Sequence, residues 1–91
     1  MKRVTRDMLK GACEEQLELF ICTWPDGAEV TEANALKAAK LGFHAGWVAW
    51  KLLSHSRYIE YLKILSEEQP GDEFWRRCWL HLYGFLRRNY D

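Results

Sequence analysis

The chain has no run of about 18 consecutive apolar residues, so a membrane-crossing helix is not expected. Its first residues, MKRVTRDMLKG, are basic, but no apolar stretch follows them, which argues against a secretory leader. Cysteine is scarce: Cys13, Cys22 and Cys78 are odd in number, widely spaced and set among apolar residues. That pattern excludes a disulfide framework and reads as reduced core thiols of a cytosolic protein.

The backbone devices of common enzymes are also missing. There is no GxSxG, no P-loop and no GxGxxG, so neither a nucleophile elbow nor a phosphate cradle is expected. None of His44, His55 and His81 stands three or four residues from another histidine. His81 follows Cys78 by three, but two ligands do not make a site that needs three or four. A cysteine nucleophile requires a base and an electropositive, partly exposed setting. Cys13 and Cys78 lie on apolar stripes, and Cys22 lies beside acidic residues, which raise a thiol pKa. The chain therefore reads as a protein without catalysis, metal or cofactor. Strand alternation, low-complexity linkers and internal repeats are absent from the pattern as well.

What is present is aromatic: five Trp, four Phe and four Tyr in 91 residues. A chain of this size buries only about 60 to 65 per cent of its unfolded surface. Large rings, each burying about 150 to 250 Å², make that small core efficient. Helical periodicity dominates the pattern. Thr5 caps a short turn over residues 6–10 that Gly11 stops. A helix then runs from 12 or 13 to 24, with Cys13, Leu17, Phe20, Ile21 and Trp24 on one stripe and Glu14, Glu15 and Glu18 opposite. Pro25-Asp26-Gly27 ends it.

Thr31 caps a helix over 32 to about 40, with Ala35, Leu36 and Ala39 on its buried side. Gly42 closes it, and a further helix over 44–53 presents Trp47, Val48 and Leu52, with Trp50 as a further candidate for the same side. Ser54-His55-Ser56 marks a break. A segment over 57–68 carries Tyr58, Ile59, Tyr61, Leu62 and Leu65 on its apolar side, and Pro70-Gly71 ends it. The last helix starts with Asp72 as N-cap and reaches about 89. It gathers Phe74, Trp75, Cys78, Trp79, Leu82, Phe85 and Leu86 on one side. These elements make one all-α domain over 1–91, a compact bundle of five or six short helices.

Formal charge is zero but unevenly spread. Glu14, Glu15, Glu18, Asp26, Glu29 and Glu32 form an acidic block, and Arg76, Arg77, Arg87 and Arg88 a basic one. Either block can steer a partner or be an ordinary solvated face. Ala38, Gly42 and Val48 also meet the spacing of a helix-turn-helix. Yet His44, Ala45, Gly46, Ala49 and Trp50, where a DNA groove would be met, include no Arg, Lys, Asn or Gln to read base edges. An ordinary helical corner turning on glycine accounts for the spacing. A second nucleic-acid option is the last helix, whose arginines and Tyr83 suit phosphate contact and base stacking.

Ala12-Cys13, Gln16, Phe20, Pro25, Gly27, Val30-Thr31, Asn34, Ala38 or Ala39, Gly42, Trp47, Ala49 and Leu52-Leu53 form a pattern. Over residues 9–53 it resembles a small helical module found in phage and prophage proteins, with 54–91 as an added helical pair. Such modules often carry an acidic residue just after the position of Gly42, where this chain has Phe43-His44-Ala45. The resemblance assigns no catalytic residue. It implies a phage- or prophage-encoded protein, and small phage proteins of this kind are often inhibitors, anti-CRISPR and anti-restriction proteins among them.

The expectation is an anti-CRISPR-like inhibitor in the cytoplasm of a bacterial host. It would occlude a surface of a host defence complex, such as a CRISPR effector or another nuclease. The candidate contact residues are Glu14, Glu15 and Glu18 on the acidic side and Arg76, Arg77, Tyr83, Arg87 and Arg88 on the basic side. A nucleic-acid-binding regulator is the alternative. A homodimer through exposed Trp50 or Tyr83 is left open.

Overall fold

Short helices with one apolar side bury it only against one another, and in the computed structural model they do so around the last of them. The structure describes residues 1–88. In chain order these form β1 (Arg3–Val4), a 3-10 turn (Arg6–Leu9), α1 (Glu14–Thr23), β2 (Ala28–Glu29), α2 (Glu32–Leu41), α3 (Ala45–Leu52), α4 (His55–Ser66) and α5 (Phe74–Arg88). The described residues thus make an all-α bundle of five α-helices with one short antiparallel ribbon.

That ribbon is outside the sequence expectation, because two-residue strands leave no alternation to read. It pairs Arg3 with Glu29 and Val4 with Ala28. Gly27 makes it feasible: its φ is +91°, and a Cβ there would lie 3.0 Å from the Val4 carbonyl oxygen. Arg3 then clamps the turn, donating to the carbonyls of Asp26 (3.0 Å) and Gly27 (3.2 Å) and pairing with Glu29.

The junctions follow helix-end chemistry. Thr31 accepts from the Asn34 amide at 3.1 Å, while the Asn34 side chain donates to the Glu29 carbonyl and accepts from the Trp24 indole at 3.2 Å. One asparagine so ties the end of α1 to the start of α2. Gly42, at φ +83°, closes α2, and the Phe43 amide reaches back to the Ala38 carbonyl. The expected break at 54–56 falls instead at Leu53 and Ser54, and Ser54 caps α4 through the Arg57 amide. α5 begins at Phe74, two residues past the expected cap Asp72, after a turn in which the Phe74 amide donates to the Gly71 carbonyl. The expected end at Asn89 lies outside the described residues.

α5 packs against α2, α3 and α4. Its buried Cys78, Trp79, Leu82, Phe85 and Leu86 meet Ala35 and Ala38 of α2, Ala45 and Ala49 of α3, and Tyr61 of α4. Alanines on the facing helices bring their backbones close to the α5 rings. Two polar atoms inside this core are satisfied by carbonyls, the Trp79 indole by Phe43 at 2.9 Å and the Tyr61 hydroxyl by Cys78 at 3.1 Å. Burial pushes the Tyr61 phenol pKa up, so it stays a donor.

Several core assignments are corrected. Cys13 and Cys22 are exposed, and only Cys78 of the three is buried. Cys13 precedes α1 as its N-cap residue, and Cys22 lies about 200° around the helix from the buried Phe20, so neither faces the interior. Trp75 is 57% exposed because it lies in the first turn of α5, ahead of the buried stretch that starts at Cys78. In α2 the buried pair is Ala35 and Ala38 rather than a stripe through Leu36. Ile59 and Leu62 of α4 are exposed, since that helix buries Tyr61 and packs Tyr58, Ile64 and Leu65 against the core.

Two glycines give opposite expectations. Gly42→Ala should lower unfolding stability by about 1 kcal/mol through strain at positive φ, since a Cβ there meets nothing within 4 Å. Gly84→Ala, in the interior of α5 with equally open space, should raise it by about 0.5 to 1 kcal/mol. Urea unfolding of both variants checks the pair, and a shared sign would contradict the assigned backbone.

Candidate functional site

The two charged blocks meet different fates when the chain folds. On α5, Arg76 pairs with Glu73 at 3.1 Å. Arg77 donates from Nε to Glu68 at 2.7 Å and from a terminal nitrogen to the Gln69 carbonyl. Arg88 donates to the Gly84 carbonyl at 3.2 Å, and its guanidinium lies 4.8 Å from the centre of the Phe85 ring. Arg87 faces a separate recess with Met1, Arg3, Glu29 and Thr31. Eleven residues along a helix separate Arg76 from Arg87 by about 16 Å, so the arginines do not make one patch. Tyr83 is half-buried and packs against the core, lining a largely apolar pocket.

Glu14, Glu15 and Glu18 are exposed on α1. Their carboxylates form no hydrogen bond or ion pair among the described residues. Glu14 and Glu15 begin the helix, where its dipole favours them. At 100° per residue, Glu15 and Glu18 point away from the apolar side, and Glu14 lies nearer to it. Glu14, Glu15 and Glu18 are therefore a free part of the acidic block, in which Glu29 is paired with Arg3, and most of the basic block is engaged internally.

Glu68 organises the other polar cluster. Its two oxygens meet His81 Nε2 and Arg77 Nε, each at 2.7 Å. The hydrogen bond from His81 and then the Arg77 guanidinium hold its carboxyl below the usual glutamate value, against a smaller opposing effect of burial. Cys78 precedes His81 by three residues on α5, with Glu68 bound to the histidine, but Cys78 is only 1% exposed. It makes no hydrogen bond to His81, and burial with Glu68 nearby pushes its pKa up. A nucleophilic thiol needs the opposite shift. No three His, Cys, Asp or Glu side chains stand together as a metal site among the described residues.

A third feature emerges only from the fold. α3 buries Ala45 and Ala49 completely, which turns its other side outward. Trp50 is 58% exposed there, with its ring 6.4 Å from that of Trp47. His44 caps the helix through Nδ1, accepting from the Trp47 amide at 2.9 Å, and its ring lies 6.4 Å from Trp75. Beside this strip runs a groove of about 370 Å³, walled by Cys13, Gln16 and Leu17 on one flank and His44, Trp47 and Val48 on the other, with Leu9 and Phe43 among the remaining lining. The i, i+4 spacing of Ala45 and Ala49 was the available signal, since a small-residue stripe marks a close-packed side.

The Ala38, Gly42, Val48 corner is formed as its spacing requires. The outward face of its second helix carries His44, Trp47, Trp50 and Lys51, so Lys51 is the only strong phosphate contact it offers. No helix among the described residues is long and apolar enough to cross a membrane. No family model, no curated protein and no solved structure matches the chain.

The Glu68 cluster sets an acid-side expectation. A depressed folded-state pKa contributes stability that is present above the unfolded carboxyl value, ordinarily 4.5, and is lost as pH falls through the lower folded value. The stability difference between wild type and Glu68→Gln should therefore shrink as pH falls below that range. Urea unfolding across an acid pH series reads this directly, and parallel curves would show that the cluster contributes nothing.

Proposed function

We propose that the chain is a non-catalytic inhibitor that lays the acidic side of α1 against a Lys/Arg-lined groove of a macromolecular partner. The observation that carries this reading is the contrast between the two blocks. Glu14, Glu15 and Glu18 are exposed and without internal partners. Arg76, Arg77 and Arg88 are engaged within the chain. Three uncompensated carboxylates within five residues produce a local negative potential that steers a cationic surface toward α1.

Cationic grooves of that kind belong to proteins that hold nucleic acid. Through the phage-like pattern of residues 9–53, the partner is read as a bacterial defence or nucleic-acid-processing complex, such as a CRISPR effector or another nuclease, met in the host cytoplasm. The mechanism is steric and electrostatic occlusion: the carboxylates take the place of phosphates, and the folded domain blocks the groove.

A nucleic-acid-binding regulator is the second reading. It is favoured by Arg87, which lines the recess beside Arg3 and Thr31.

Capture of partners by the tagged chain from nuclease-treated bacterial lysate, read by mass spectrometry, separates the two readings. Glu15→Lys with Glu18→Lys should reduce recovery of a nuclease or defence complex by tenfold or more, about 1.4 kcal/mol. Arg87→Glu with Arg88→Glu should leave it intact. Loss only in the arginine variant, together with steeply salt-dependent duplex binding, would replace the inhibitor with the regulator.

A further inference from the structure

We propose that the aromatic strip and groove form the interface of a two-fold homodimer, in which Trp50 of each copy enters the groove of the other. The face takes in Glu14 at its rim but neither Glu15 nor Glu18, which point away from it, so this inference stands apart from the part of the inhibitor reading that those two residues carry.

The first argument is shape. A two-fold contact needs a self-complementary surface, on which a feature of one copy meets a different feature of the other and the contact repeats reciprocally. This face carries both halves of such a pair. Trp50 projects from α3 with 58% of its surface exposed, and the groove lies on the other side of Trp47, whose ring is 6.4 Å from that of Trp50. At about 370 Å³ the groove falls in the size class that accepts small organic molecules, so an indole enters it. Its lining is apolar apart from Gln16 and His44.

Charge is the second argument. A partner of one sign would be matched by a rim of the opposite sign, but this rim is mixed. Lys51 lies four residues beyond Trp47, on the same side of α3. Glu14 is about 60° around α1 from the groove residue Leu17. In a two-fold arrangement the α3 edge of one copy lies over the α1 edge of the other, and Lys51 then faces Glu14 of the second copy twice over. The formal net charge of zero leaves no long-range repulsion between copies.

Area is the third. A stable interface takes about 800 Å² from each partner. Trp50 and Trp75 are 58% and 57% exposed. With a large ring worth up to about 250 Å², the two present on the order of 280 Å². They supply a third of the requirement before the groove walls are counted. Covering this face would also remove the largest exposed apolar side chains from water.

Sedimentation equilibrium of the full chain over a concentration series up to on the order of 100 µM tests this directly. The expected result is a mass approaching twice 10.8 kDa. Trp50→Ala should return the mass to that of one chain, with the helical circular dichroism unchanged because the side chain is exposed. Lys51→Glu should weaken association by tenfold or more, and adding Glu14→Lys should restore it, which a general loss of folding would not do. A single-chain mass throughout the series, or a dimer indifferent to Trp50→Ala, overturns the proposal. So does a monomer whose groove amides shift in nuclear magnetic resonance spectra on titration with an unrelated amphipathic peptide, which would assign the face to a foreign protein. None of these results bears on capture through Glu15 and Glu18.

Discussion

Everything in this fold depends on how closely three helices approach α5. That helix puts Cys78, Trp79, Leu82, Phe85 and Leu86 on one side. Rings of this size are buried only if the facing backbones come near, which is why α2 and α3 present alanine at Ala35, Ala38, Ala45 and Ala49. A larger side chain at any of these would push a helix away from several neighbours at once, because interiors are close-packed. α4 solves the same problem differently. It inserts one large ring, Tyr61, and spends its hydroxyl on the Cys78 carbonyl, so the ring is buried without leaving a polar atom unpaired.

The surface follows from that arrangement. Once α3 turns its alanines inward, Trp50 is left outward while Trp47 packs partly against the core, and Trp75 in the first turn of α5 clears the core and meets His44. The groove exists because the 3-10 turn and the start of α1 sit beside α3 without filling the space between them. An exposed aromatic strip is thus a by-product of close packing on the opposite side. Its cost in solubility is the physical reason to look for what covers it.

Most of the helical framework was legible in the sequence, because the signals were local. Pro25 and Gly27, Thr31, Gly42 and Pro70-Gly71 each mark an end or a cap by their own stereochemistry, and the structure puts boundaries at or within a few residues of them. Which apolar residues go inside was less legible. Periodicity selects a stripe about half a helix wide, but only the neighbours decide where on it the contact falls. Trp75 and Cys13 belong to apolar stripes and are nevertheless exposed, since no helix passes over them. The β1–β2 ribbon was illegible for a different reason: it joins Arg3 to Glu29 across 26 positions, a pairing that no local pattern encodes.

The charged blocks show the same limit on a functional question. In the sequence, the acidic and basic groups carry equal weight as binding faces, because composition records charges but not their partners. Folding breaks the tie. Arg77 is drawn to Glu68, Arg76 to Glu73 and Arg88 back onto its own helix, whereas none of the described residues pairs with Glu15 or Glu18. A surface charge that is already paired has little left to give a partner, because binding must first break the existing pair. A chain with no net charge can therefore still present a field of one sign. In this chain the unpaired carboxylates that point away from the groove are Glu15 and Glu18 of α1, so an acidic contact through them and an apolar one through the strip can be made at the same time.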